Sequence, residues 1–233
     1  MSRPRIVVIG SSNMDMVVKT KRIPRGGETV MGGSFAMVPG GKGANQAVCA
    51  ARLGAEVTLV ARVGDDVFGR TSLENFRNAG IDTRFVKSDS SLPSGVALIT
   101  VDEDGENAIV VAAGANNALR PEDVDEAAEA IAVADALMLQ LEIPSDTVEH
   151  AVRLAHEQGV RVVLNPAPIR PFTVELISLV DVLVPNQHEA AELLRTTDDK
   201  TYVVAQKAGY DEPNYFSYVF KRKFGVSPSQ YRK

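Results

Sequence analysis

Short runs of β-branched and other apolar residues alternate with helix-like stretches from residue 5 to about residue 190. The strand-like runs cover residues 5–10, 57–63, 136–141, 160–165 and 181–186. Several are apolar almost throughout, which is typical of strands covered on both faces. The helix-like stretches between them cover residues 44–53, 68–79, 121–134 and 146–158. This alternation predicts an α/β fold around a mostly parallel sheet.

Two stretches interrupt the alternation with patterns typical of β-ribbons. They cover residues 28–38 and 95–113, and the second contains a turn around Gly105. We expect them to form a small sheet that projects from the main domain. The pattern leaves open whether this sheet is a lid over a site or a dimer contact.

Composition excludes several classes of protein. The 233 residues are 45% hydrophobic and 24% charged, which excludes a disordered chain. The single cysteine, Cys49, forms no internal disulfide, and three scattered histidines make no metal-ligand cluster. No apolar run reaches the roughly 18 residues of a membrane span, and the first residues do not resemble a signal peptide. We therefore predict a cytoplasmic protein with no membrane partner.

Charge is unevenly distributed along the chain. Residues 195–233 carry eight basic and four acidic side chains, whereas residues 1–194 carry 17 basic and 26 acidic ones. This difference indicates an acidic body and a small basic module with different partners. A solvated basic helix at the C-terminus accounts for the same charges.

A glycine-rich segment, GGKGAN at residues 40–45, opens the first predicted helix. Successive glycines let the backbone approach a ligand, and a helix N-terminus offers free N–H groups. The spacing differs from that of a Walker A loop. A tight turn also needs glycines, so the segment alone does not establish a site.

Polar residues follow several predicted strands, where ligands bind in open α/β sheets. They are Asn13, Asp15, Glu142, Asn186 and Glu189. An amide beside a carboxylate suits neighbouring sugar hydroxyls, which both donate and accept hydrogen bonds. Each residue has a structural alternative as a turn former or helix cap. Jointly they predict a small-molecule site.

Eight segments occur in the order and spacing of one enzyme family. They are GSSNMD, GGETVMGG, PGGKGANQAVCAARLGA, RVGDDVFG, LPSGVALITVDEDGENAIVV, QLEIP, LNPAP and VPNQHEA. Together they resemble the ribokinases of the PfkB carbohydrate-kinase family. The resemblance covers residues 5 to about 190 and implies a ribokinase-like parallel sheet with flanking helices and a β lid.

The resemblance also implies a reaction, ATP-dependent phosphorylation of D-ribose or a similar pentose at O5, with Mg²⁺. The residues that match the family's sugar contacts are Asn13, Asp15, Gly41, Lys42, Asn45 and Glu142. Asn186 and Glu189 match its N-x-x-E motif on the phosphate and magnesium side. The two β-ribbons match the lid, which makes the dimer in this family.

One family motif is absent from this sequence. Ribokinases carry a D-T-x-G-A-G-D segment, whose glycine-rich turn forms an anion hole and whose last Asp is the catalytic base. The nucleotide site and the monovalent-cation site belong to the same absent portion. A positioned base contributes roughly 10²–10⁴-fold to a rate. We therefore expect a domain truncated at its C-terminus, with no catalytic residue among those present and negligible kinase activity for this chain alone.

The last 40 residues resemble a second family, the AraC-like transcriptional regulators. The matching pattern is A-x-x-x-G-Y, then N-Y-F-S-x-x-F-K, then F-G-x-S-P-x-x-Y-R, which is the second of that family's two helix-turn-helix units. The resemblance implies a recognition helix that begins near Glu212. By the same resemblance, Asn214, Ser217 and Tyr218 would contact bases, and Lys221 and Lys223 would contact phosphates. A single unit should bind DNA weakly and with strong salt dependence.

The two resemblances meet in the segment AELL, which suits both families. We therefore predict a kinase-like domain at 1–192 and an all-α helix-turn-helix unit at 193–233. The junction fits natural recombination, an engineered chimera or a sequence-joining error alike. Three functions stay open: a sugar-kinase module, a sugar-sensing DNA-binding regulator, and a non-functional fusion.

Overall fold

The computed structural model describes residues 2–170, 174–196, 200–207, 210 and 212–231. Within these residues the strands β1 to β10 are Arg5–Ile9, Asn13–Lys19, Phe35–Gly40, Glu56–Gly64, Asp82–Asp89, Gly95–Val101, Asn107–Ala112, Ala136–Gln140, Arg161–Asn165 and Val182–Leu183. The helices α1 to α10 are Lys42–Arg52, Val67–Asn78, Pro121–Asp125, Ala128–Ala132, Ser145–Glu157, Val174–Ser178, Gln187–Thr196, Thr201–Lys207, Pro213–Phe224 and Pro228–Tyr231. A 3₁₀ turn at Gly114–Ala118 follows β7.

The larger sheet has six strands in the order β10-β9-β8-β1-β4-β5, and all its pairs are parallel. Its two faces are covered by different helices, as the central strand β1 illustrates. Val7 and Ile9 pack into a core that contains residues of α5, whereas Val8 packs into a core that contains residues of α1 and α2. Side chains alternate between faces along a strand, so a continuous apolar run such as RIVVI serves both cores.

The smaller sheet, which we call the lid, has four strands in the order β3-β2-β6-β7. Strand β2 pairs antiparallel with β3 and parallel with β6, and β6 pairs antiparallel with β7. The lid begins only three residues after β1 ends, because β2 starts at Asn13. The base of β2 therefore lies beside the carboxyl end of the central strand of the larger sheet.

The predicted α/β architecture with a small β lid is confirmed, but four details differ. Residues 28–34 form no strand, so the first ribbon is reduced to β3. Residues 121–134 form two short helices instead of one, with a break at Glu126 and Ala127. Asn13 and Asp15 lie within a strand, and β5 was not predicted.

The predicted helical tail is confirmed as α8, α9 and α10. It packs into the same core as the large sheet, because Val204, Phe216 and Phe220 share a buried cluster with Ala190 and Leu193 of α7. Within the described residues, no helix combines the length and the apolar character that a membrane span needs.

Candidate functional site

Three segments meet at the carboxyl end of β1. Strand β2 supplies Asn13 and Asp15, the start of α1 supplies Lys42, and the segment after β8 supplies Glu142. Glu142 joins the start of α1 to the loop between β1 and β2, because its Oε2 accepts from the Lys42 backbone N–H at 3.0 Å and from the Ser11 hydroxyl at 2.5 Å. The Lys42 ammonium lies 3.8 Å from the other carboxylate oxygen, Oε1. The structure thus brings together residues that are up to 131 positions apart in sequence.

Glycines allow the turn before α1 to pack directly against β2. Gly41 has φ 91°, a left-handed conformation that side chains disfavour, and a Cβ there would lie 2.8 Å from the Asn13 backbone nitrogen. A Cβ on Gly40 would overlap the carboxylate of Asp15. Gly40 therefore lets the Asp15 carboxylate lie against the turn, and Gly41 lets the turn lie against the backbone of residues 11–13.

The carboxyl group of Asp15 has a pKa above its ordinary value. Partial burial is the largest cause, the nearby Glu142 carboxylate raises the pKa further, and the Lys42 ammonium opposes both. Two carboxylates and one ammonium therefore share this site. Carboxylate oxygens accept hydrogen bonds from hydroxyl groups, and an ammonium donates them. The arrangement suits a neutral polyhydroxylated ligand.

Asn45, the remaining sugar contact predicted from the sequence, lies one turn into α1. Its side chain is exposed and lines a groove between β3, α1 and α2, beside Val38 and Pro39. No hydrogen bond within the described residues joins its side chain to the other predicted sugar contacts. Asn45 thus lies near the other predicted sugar contacts, but its side chain is not hydrogen-bonded to any of them in the described part of the chain.

Asn186 and Glu189, the residues assigned to the phosphate and magnesium side, bond to each other. Glu189 accepts at both carboxylate oxygens, from the Asn186 backbone N–H at 2.8 Å and from its side-chain amide at 2.7 Å. The Glu189 backbone N–H donates to the Asn186 side-chain oxygen at 2.9 Å, which completes a reciprocal cap on α7. The described residues contain no group of three or more metal-ligating side chains.

Helix α9 carries the predicted DNA contacts on more than one face. Asn214, Tyr218 and Lys221 recur every three to four residues and are exposed. Ser217 is half-buried, and its hydroxyl donates to the Pro213 carbonyl at 3.0 Å. Lys223 lies about 180° around the helix from Asn214, at roughly 100° per residue.

The face of α9 that carries Lys223 packs against α7. Lys223 lines a small apolar cavity beside Asn186 and Gln187 at the start of α7. Phe224 contacts His188 edge to face, with ring centroids 6.2 Å apart.

Comparison with known proteins identifies the family. The model of the pfkB family of carbohydrate kinases matches residues 3–211. The chain belongs to this family. A ribokinase of Bacillus subtilis is 46% identical over 188 residues, which are 81% of this chain and 64% of that protein. A deoxyribokinase of Salmonella typhi is 40% identical over 198 residues, 84% of this chain and 64% of its own length.

Solved structures of pfkB-family members agree with this assignment. The structure of Arabidopsis thaliana ribokinase complexed with ribose and ATP superposes with a TM-score of 0.77 at 32% identity, covering 89% of this chain and 69% of that one. The chain spans about two thirds of the length of the curated relatives it matches. A second family model, of AraC-family regulatory helix-turn-helix proteins, matches residues 203–233 and overlaps the pfkB match in α8.

Sequence reasoning missed two residues that hydrogen-bond to members of this candidate site. Ser11 lies within the quoted GSSNMD motif, and its hydroxyl bonds Glu142, so the motif itself could have indicated it. Asn116 contacts the base of β2 from the turn after β7, 103 residues beyond Asn13. Its surroundings, GANNAL, read as an ordinary turn and give no such signal.

Proposed function

We propose that this chain binds D-ribose or a similar pentose and constitutes the sugar-binding part of a ribokinase-type phosphotransferase. The proposal is carried by the way in which two pairs of residues come together at the carboxyl end of β1. Asn13 and Asp15 share one face of β2, and Lys42 and Glu142 lie beside them. These groups donate and accept at neighbouring points, as adjacent hydroxyls require. The names of the ribokinase and deoxyribokinase relatives support a pentose as the ligand.

Phosphoryl transfer needs groups that this sequence does not contain. The reaction depends on positioning and on stabilising charge at the phosphoryl group, with ATP and Mg²⁺ in the ribokinase case. The D-T-x-G-A-G-D motif, which supplies the base and the anion hole in ribokinases, is absent. We therefore expect the purified 233-residue chain to produce no ADP from ribose and ATP at an ordinary enzymatic rate. A coupled assay for ADP tests this, and ordinary turnover would contradict it.

Calorimetric titration with D-ribose, without nucleotide, tests the sugar site. We expect saturable heat that disappears in Asp15→Ala and persists in Asp104→Ala, a matched change on the exposed turn between β6 and β7. Titration with 2-deoxyribose in parallel tells which pentose is preferred. Absence of ribose-dependent heat in the unaltered protein would overturn the proposal.

A second candidate function, DNA binding, rests on the exposed face of α9. Asn214, Tyr218 and Lys221 share this face, and the AraC-family match supports a nucleic-acid partner. If the sugar site is also intact, the chain would be a sugar-sensing DNA-binding protein. A gel-retardation assay across a salt series tests it, with Lys221→Ala weakening the complex and reducing its salt dependence. No shift even at low salt would remove this candidate.

We also propose that the lid mediates a homodimer. A row of paired apolar residues crosses the four lid strands on the face opposite Asp15. The row consists of Met37, Met16, Leu98 and Val110. Leu98 and Val110 are 54% and 67% exposed, so this apolar row has no cover in the monomer. Sedimentation should give a dimer that Leu98→Arg converts to a monomer, whereas Leu53→Arg, at the exposed end of α1, leaves it dimeric. A monomeric unaltered protein would contradict the proposal.

A further inference from the structure

The buried amide of Asn116 has its orientation fixed by backbone groups. Asn116 is 2% exposed, and its Oδ1 accepts from the Ser12 backbone N–H at 2.8 Å. Its Nδ2 donates to the carbonyl oxygens of Ser12 at 3.1 Å and Ala113 at 3.0 Å. A backbone N–H can only donate and a carbonyl can only accept, so exchanging Oδ1 with Nδ2 would break all three bonds.

The same amide sets the orientation of its neighbour in the sugar site. Nδ2 of Asn116 also lies 2.8 Å from the side chain of Asn13, so its two hydrogens are shared among three acceptors. The atom of Asn13 that it meets must be an acceptor, because an NH₂ group there would bring two donors together. Oδ1 of Asn13 is therefore held toward Asn116. Within the described part of the chain, Nδ2 of Asn13 makes no hydrogen bond, and it is directed away from Asn116.

We propose that Asn116 is a positioning residue that holds the Asn13 amide with its NH₂ group toward the sugar. This inference rests on the proposed pentose site. Asn13 and Asp15 are two residues apart on β2 and therefore share a face. One presents a donor and the other an acceptor. The pair accordingly selects a hydroxyl group, whose oxygen accepts from Asn13 while its proton is donated to Asp15.

Gly95 makes this arrangement possible. It pairs with Asn13 across β2 and β6, and a Cβ on it would overlap both Oδ1 of Asn13 and Nδ2 of Asn116. Any larger residue at position 95 would push the two amides apart. The residues that the contact between Asn13 and Asn116 requires thus lie in three separate parts of the sequence, namely β2, Gly95 and the turn after β7.

Exchange of the side-chain amide protons, followed by NMR on the ¹⁵N-labelled full chain without ligand, tests the orientation directly. We expect slow exchange for the NH₂ group of Asn116 and fast exchange for that of Asn13. In Asn116→Asp, a carboxylate oxygen faces Asn13, so the Asn13 amide should rotate and its NH₂ group should become protected. Equally fast exchange at both amides of the unaltered protein would overturn the proposal.

Ribose affinity provides the second test. Asn116→Asp should weaken D-ribose binding at least about tenfold, because Oδ1 of Asn13 then faces the ligand. Asn117→Asp is the matched control, since it adds the same charge at an adjacent exposed residue. Equal losses in the two variants would assign the effect to charge and contradict a positioning role.

A double-mutant cycle separates positioning from a general structural role. Asn116→Ala should reduce ribose affinity about tenfold when Asn13 is present and less than about twofold in an Asn13→Ala background. Additive losses would overturn the proposal. If the unaltered protein binds no ribose, the proposed function fails, while the amide-exchange pattern still decides the role of Asn116.

Discussion

Asp15 combines a proposed role in ribose binding with a cost in stability. Its pKa is raised by burial and by Glu142, so its charged form is disfavoured in the folded protein relative to the unfolded chain. The free energy of unfolding should therefore rise as pH falls through this raised pKa, whereas ribose binding, for which we propose the carboxylate form, should weaken over the same range.

Asp15→Asn should separate these two effects. We expect the variant to be more stable than the unaltered protein at neutral pH, by about 1 kcal/mol, and to lose ribose binding. Thermal unfolding and calorimetry across the acidic range measure both. A variant that is less stable at neutral pH would contradict the stated cost of the buried charge.

A substitution at Gly40 tests the contact between β2 and the turn that precedes α1. In Gly40→Ala the new Cβ overlaps the Asp15 carboxylate, so that carboxylate must move and ribose affinity should fall at least about tenfold. Gly26→Ala is the matched control, because a Cβ there meets no atom within 4 Å. Unchanged affinity in Gly40→Ala would mean that Asp15 can move without loss of binding.

At the scale of elements, an ion-pair network ties α3 to the large sheet. Asp123, which is 3% exposed, accepts from Arg62 of β4 at 2.8 Å and from Lys87 of β5 at 2.8 Å. Burial tends to raise the pKa of Asp123, but the bonds from Lys87 and Arg62 together hold it below the ordinary value. Stability from this carboxylate is thus present above its unfolded pKa and lost as pH falls through its folded pKa.

Asp123→Asn should lower the free energy of unfolding by about 1–3 kcal/mol, because it removes the carboxylate that Arg62 and Lys87 share. The loss is limited because Arg62 keeps its ion pair with Asp89 and Lys87 keeps its ion pair with Glu126. Chemical denaturation at neutral pH measures the change, and Asp104→Asn on the exposed turn provides the control. The difference between variant and unaltered protein should shrink in acid. A loss that is constant with pH would show that packing, rather than charge, is responsible.

Periodicity predicted the strands that are covered on both faces, and it missed one edge strand and one break between helices. The strands β1, β8 and β9 are apolar runs covered on both faces, so their sequence alone identifies them. Strand β5, DTRFVKSD, is an edge strand with no fully buried residue, and its polar composition concealed it. The break between α3 and α4 falls at Glu126 and Ala127, where neither glycine nor proline marks it.

At the scale of the whole molecule, the tail and the body share one core. Phe216 and Phe220 are each 4% exposed, and they pack in the cluster that contains Leu164 and Leu183 of the large sheet. A helix-turn-helix unit that read DNA independently would need its own core. The predicted boundary at 192–193 therefore runs through a packed interface.

Phe220→Ala should destabilise the protein by about 3–5 kcal/mol, because it removes a buried ring from this shared core. Hydrogen exchange should show lost protection in α7 together with α9, as expected for one cooperative unit. Tyr218→Ala, on the exposed face of α9, is the control and should change neither. Lost protection confined to α9 would indicate a tail that unfolds separately.

The candidate site was predictable where it depends on local motifs and unpredictable where it depends on distant contacts. The glycine-rich start of α1 and the polar residues after β1 and β8 pointed to Lys42, Asp15 and Glu142. The bond from Asn116 to Asn13 depends on how the turn after β7 packs against β2, which no local pattern encodes. The capping role of Asn186 and Glu189 was an open alternative that hydrogen-bond geometry supports.

The division of the proposed site between two sheets has a kinetic consequence. Asn13 and Asp15 belong to the lid. Lys42 and Glu142 belong to the large domain, where they lie at the carboxyl end of the parallel sheet. A bound pentose would therefore contact two bodies at once, and it would leave only after both sets of contacts have broken. Its residence time would then depend on both sets rather than on one.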